Sequence, residues 1–197
     1  MSASVSIGKR ERLGPHVAVR HYSPCQSERS SGVPLNLIVL HDTEGANIPN
    51  SVADLTGLGS WFGNLSTQAS SHVATDSDGN SARFVSDRRK AWHCAGYNSA
   101  SLGIEQVGFV SQTRSTWLKN WRQLRETARW IAYWSHRYGI PIRRGAVSGG
   151  VVTRSGVLRH MDLGIIGGGH VDPGSSYPFN RVLWLARAYK AARQVRA

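Results

Sequence analysis

The sequence predicts one α/β domain, a central sheet of mixed strand direction with helices on its faces. Three observations carry that reading. Residues 35–41 form a continuous apolar run after Pro34, the pattern of a strand buried on both sides. Residues 72–75 and 82–86 flank a Ser-Asp-Gly-Asn segment, and Asp-Gly between two such runs marks an antiparallel hairpin. Residues 116–138 place apolar side chains at helical spacing over a long stretch. At 197 residues the chain is long enough to bury a core and suits a single domain.

Taken in order, residues 1–34 are rich in Ser, Pro, Gly and Arg and lack sustained periodicity. They read as an irregular arm with a short strand near residues 17–19, and residues 35–197 as the domain proper. After the strand at 35–41, a helix is expected over 51–62, entered through Asn50 or Ser51, with Asp54 near its positive end. The hairpin follows, and then a strand at 102–110. That strand would set Ile104, Gln106 and Gly108 on one face and Glu105, Val107 and Phe109 on the other. The helix at 116–138 carries its stripe on Trp117, Trp121, Leu124, Ala128 and Ile131, and Gly139 with Pro141 stops it. A glycine-rich stretch covers residues 145–174. A final helix begins near Asn180 and buries Val182, Leu185, Ala186 and Tyr189. No internal repeat is present.

The net charge of +12, from 24 Lys and Arg against 12 Asp and Glu, points to a polyanionic partner: nucleic acid, a membrane surface or a bacterial wall. No stretch approaches the roughly 20 apolar residues that cross a bilayer, so membrane insertion is not expected. The N-terminus has charge but no apolar core of a secretory signal, which places synthesis in a cytoplasm. Cys25 and Cys94 form no Cys-x-x-Cys pair and read as two unpaired thiols. A nucleic-acid role would have to use Trp130 and Trp134, which fall off the helix stripe, but no nucleic-acid motif supports it.

The candidate chemistry sits on a few residues that end apolar runs. They are His41 in LIVLHDTEG, His160 in LRHMDLG, and His170 with Asp172 in GGGHVDPG. Two imidazoles and a carboxylate from distant segments can hold zinc while leaving its fourth position open, as catalytic zinc requires. Each has a plainer reading: His41 as a core histidine, Asp172 as the cap of an Asx turn with His170 incidental, Asp162 as either an orienting partner of His160 or a turn former. Glu105 lies mid-strand among apolar neighbours, where a carboxylate is costly unless paired with an arginine or used as a general base.

In combination, LIVLHDTEG, SSHVATDSDGN, AWHCAGYNSASLGIEQVG and the closing His…Asp-Pro-Gly resemble the ordered motifs of the zinc-dependent N-acetylmuramoyl-L-alanine amidases. Their fold is shared with peptidoglycan recognition proteins and several phage lysozymes. The resemblance spans residues 35–184 and implies that mixed-sheet fold. It implies His41, His160 and Asp172 as ligands of Zn2+, and Glu105 as the residue that activates water. His170 would stand where many members carry an oxyanion-stabilising lysine. Trp92, His93 and Asn98 match a segment bordering the substrate groove. Three departures stand out: a gap of about two extra residues between His160 and the His-Val-Asp segment, an imidazole in place of the lysine, and Ser71 where some phage members have tyrosine.

The expectation is therefore zinc-dependent cleavage of the bond between N-acetylmuramic acid and L-alanine by a monomer acting on bacterial peptidoglycan, with no nucleic-acid partner. The basic charge and the missing secretion signal favour a phage or prophage endolysin. A cytoplasmic enzyme recycling wall fragments and a non-catalytic wall-binding module are the rival readings, the fold alone deciding between none of them.

Overall fold

A computed structural model describes residues 11–196. Its main sheet has six strands in the order β1-β5-β4-β7-β3-β10, where β1 is Val17–Arg20, β3 Leu37–Leu40, β4 Val73–Thr75, β5 Ser81–Arg83, β7 Ser101–Gln106 and β10 Gly156–Arg159. All neighbours are parallel except the β4–β5 hairpin, so the sheet is mixed as expected. β3 lies between β7 and β10 and is fully buried, which is why its sequence is an unbroken apolar run. The antiparallel pair of β2 (Gln26–Glu28) with β6 (Arg89–Ala91) and a hairpin of β8 (Ala146–Ser148) with β9 (Val151–Arg154) complete the strands.

Side chains alternate across the sheet. Ile38, Leu40, Leu102, Ile104 and Val157 point to the face covered by α3 (Trp121–Tyr138) and α4 (Phe179–Arg196). Leu37, Val39 and Leu158 point to the other face, against Cys94, Tyr97 and Leu163. Further along that opposite face, α1 (Ala53–Phe62) packs Leu55 and Phe62 on Ala74, Ala82, Phe84 and Val107. By the same alternation His41, Glu105 and His160 share the face turned away from the two long helices.

The short strand expected near residues 17–19 is β1, at the sheet edge beside β5; most of the other described residues up to 34 are irregular, and ionic contacts fix the chain before β1. Buried Glu126 on α3 accepts from the His16 backbone, Arg12 and Arg129, while Glu11 pairs with Arg125 and Arg129 at 3.1 and 2.9 Å. Residues 1–10 of the expected arm lie outside the described residues. The expectations for the long helix and for its apolar stripe need correction. The helix expected over 116–138 is two helices, α2 (Arg114–Lys119) and α3, because Asn120 leaves helical geometry between them. Thr113 caps α2, its hydroxyl accepting from the Thr116 N–H. Trp121 just past the break is half exposed, so it does not belong to the buried stripe. Trp130 and Trp134 are both buried, since α3 packs against the sheet and α4 together, and Trp134 donates to Asp87 at 3.1 Å.

Candidate functional site

His41 extends β3 by one residue, its N–H donating to the Ile104 carbonyl of β7 at 2.9 Å. His160 opens a single 3-10 turn directly after β10. Asp172 returns beside it, its backbone carbonyl accepting from the Met161 N–H at 2.9 Å. The three side chains meet, with one donor atom from each inside a 4.8 Å cluster. The two Nδ1 atoms lie 3.0 Å apart, His41 Nδ1 is 3.3 Å from one Asp172 oxygen, and His160 Nδ1 is 3.0 Å from the other. All three residues are buried.

The His160 Nε2–H donates to the Gly167 carbonyl at 2.8 Å. A carbonyl can only accept, so a neutral His160 keeps its proton on Nε2 and turns the Nδ1 lone pair to the centre. Burial lowers the His41 pKa to about 4, with a nearby His160 adding to the effect, so His41 is a neutral imidazole at physiological pH. Neutral imidazoles and a carboxylate are the donor set of a borderline-soft divalent metal. Asp162 is settled as a turn former: it binds the Arg159 side chain at 2.7 Å and accepts from the Arg159 backbone N–H.

Glu105 on β7 lines the same groove as His41, His160 and Asp172. Burial, with Asp172 and Asp42 nearby, pushes its carboxyl well above the ordinary glutamate value of 4.5. Among the described residues no arginine pairs with it, so the salt-bridge reading of this buried carboxylate fails. Asp42 was missed in the sequence although it stands in the HDTEG run. Burial raises its carboxyl to about 8, and its Oδ2 atom has no hydrogen-bond partner.

The candidate residues line one groove of about 1140 Å³: His41, Glu105, His160, His170, Asp172, Trp92, His93 and Asn98. His170 sits at its exposed lip, stacked on the His160 ring with centroids 4.2 Å apart, and its Nδ1 is 3.8 Å from Asp172. Trp92 donates from its indole to Ser27 at 3.1 Å. The Asn98 side-chain oxygen accepts from the His93 and Cys94 backbone N–H groups, fixing the turn that presents this wall. Ser71 is fully buried and does not line the groove, so no side chain reaches the centre from the position where some phage members carry tyrosine. The two cysteines are both buried and unpaired.

A family model described as N-acetylmuramoyl-L-alanine amidase matches residues 31–175, more than half of the chain. The chain belongs to this family. Solved structures agree on the amidase fold. An AmpD derivative superposes with a TM-score of 0.62 at 19% identity, covering 89% of this chain and 97% of that one. The hydrolase AmiA of Staphylococcus aureus, solved with its ligand, gives 0.65 at 18% identity, covering 93% and 87%. The peptidoglycan recognition protein SD of Drosophila gives 0.56 at 16% identity, covering 83% of each chain. No curated protein matches the amidase by sequence. At these identities the structural likeness speaks to the fold.

Proposed function

We propose that this amidase cleaves the amide between the lactyl group of N-acetylmuramic acid and L-alanine in bacterial peptidoglycan, with Zn2+ held by His41, His160 and Asp172. The observation that carries this reading is the buried triangle of two imidazole nitrogens and a carboxylate beside the unpaired Glu105 carboxylate, in one groove. When bound, zinc supplies Lewis-acid polarisation of the scissile carbonyl and makes water nucleophilic near neutral pH.

The protein's own groups carry the remaining steps. Glu105 accepts a proton from the attacking water, and its raised pKa suits it to return that proton to the leaving amine of L-alanine. His170, at the lip, donates a hydrogen bond toward the oxyanion. Trp92 and the Asn98-held turn form the wall along which the glycan or stem peptide lies. Digestion of purified wall should release new amino groups without new reducing sugar ends, and a chelator should stop it. Reducing ends, or chelator-resistant release, would overturn the assignment.

A lytic, endolysin-like role follows from the charge of +12, which concentrates the protein on an anionic wall. Turbidity of exposed cell walls should then fall on adding the enzyme, and the rate should drop as salt screens the attraction. Activity confined to small soluble muropeptides would instead mark a recycling enzyme.

A further inference from the structure

The structure gives His160 a backbone carbonyl to fix its tautomer, but among the described residues none lies at the Nε2 atom of His41. That atom faces the Nδ1 of His93 at 2.9 Å. The other nitrogen of His93, Nε2, lies 3.0 Å from the Ser101 hydroxyl. Ser101 in turn donates to the Tyr97 carbonyl at 2.8 Å. We propose that His93 and Ser101 are positioning residues that form a one-way hydrogen-bond relay, anchored on the Tyr97 carbonyl, which holds His41 in its metal-ligating tautomer.

The direction of the relay follows from proton counting. The Tyr97 carbonyl can only accept, so it takes the single hydroxyl proton of Ser101. Toward His93 the Ser101 oxygen is then an acceptor, as it also is toward the Cys94 thiol at 3.2 Å. His93 must therefore carry its proton on Nε2, which leaves a lone pair on Nδ1. That lone pair demands an N–H at His41 Nε2, and the His41 Nδ1 lone pair is freed for the centre, 3.0 Å from that of His160. The backbone is shaped to admit the ring: a Cβ at Gly103 would fall 2.7 Å from His93 Nδ1. Gly103 is thus a glycine of close approach, inside the strand that also carries Glu105.

This inference rests on reading the His41, His160 and Asp172 triangle as a metal centre, and it changes the expected job of His93 from bordering substrate to orienting a ligand. The wild-type chain is first titrated with zinc against a chromogenic chelator; no uptake at all overturns that reading and the relay with it. With uptake established, Ser101→Ala and His93→Ala should each bind zinc about 10–100-fold more weakly, the cost of losing such outer partners. His93→Gln, which keeps an acceptor oxygen, should recover part of the loss, and KM should hold in all three. Long-range proton–nitrogen correlation on the zinc-loaded wild type needs no variant and should find the His93 proton on Nε2. A proton on His93 Nδ1, or a His93→Ala enzyme with unchanged zinc affinity and a raised KM, would overturn the relay and leave His93 as a substrate contact.

Discussion

His41 and Glu105 stand on adjacent parallel strands of a fully buried sheet centre, whereas His160 and His170 flank a loop with three consecutive glycines, Gly167 to Gly169. The strand half is fixed by the ladder and by buried side chains. The loop half is fixed by the ring of His160 itself, which the Gly167 carbonyl holds and the His170 ring covers. The difference teaches where tolerance should lie. His41 and Glu105 cannot shift without moving the core, while the lip residue His170 has one face open to solvent.

The sharpest way to break this comparison is to cut one ligand from each half. His41→Ala and His160→Ala should both reduce wall hydrolysis to background, measured as released amino groups, because two remaining ligands hold zinc poorly. Next comes Glu105→Gln, which should lower kcat by about 10²–10⁴-fold while zinc content is kept. The same variant has a second consequence. A carboxyl whose pKa is raised on folding destabilises the fold once pH rises above its unfolded value, near 4.5 here. The metal-free Glu105→Gln protein should therefore melt higher than metal-free wild type at pH 7, and the gap should close below about pH 4.5.

Smaller effects belong to the glycine loop and its lip. His170→Ala should lower kcat about tenfold with zinc content unchanged, an exposed donor contributing less than a buried one. Gly168→Ala should cost about 1–3 kcal/mol in a denaturant titration, since φ at Gly168 is +113° and a Cβ there would meet the His170 ring at 2.9 Å. Smallest of all is the reactivity of the cysteines. Burial pushes the Cys94 thiol up to about 12, so it should resist alkylation at pH 8 until the protein is unfolded.

The same contrast governs how much was legible in the sequence. β3 and the β4–β5 hairpin declared themselves because an apolar run and an Asp-Gly turn are local signals. The alternation along β7 placed Glu105 on the face opposite Ile104, and the structure keeps that assignment. The His41, His160 and Asp172 triangle was legible only through motif order, since nothing in the spacing of positions 41, 160 and 172 requires them to meet. β1 was read only as a short strand inside an irregular arm, because its place in the sheet depends on partners more than sixty residues away, Ser81 and Glu126 among them. The break at Asn120 was invisible because apolar spacing runs through it. The role proposed for His93 was hidden for a different reason: its motif marks the groove wall, while its side-chain partners His41 and Ser101 come from two different strands.

The central claim is that His41, His160 and Asp172 form one catalytic metal centre. Zinc content per chain, measured on wild type and on Asp172→Ala after dialysis against the same chelator, tests it most directly. The account predicts one zinc per wild-type chain, none in Asp172→Ala, and amide hydrolysis that returns in proportion to zinc added back to the stripped wild type. A stripped wild type that hydrolyses wall at its full rate, or an Asp172→Ala protein that retains one zinc, would contradict it.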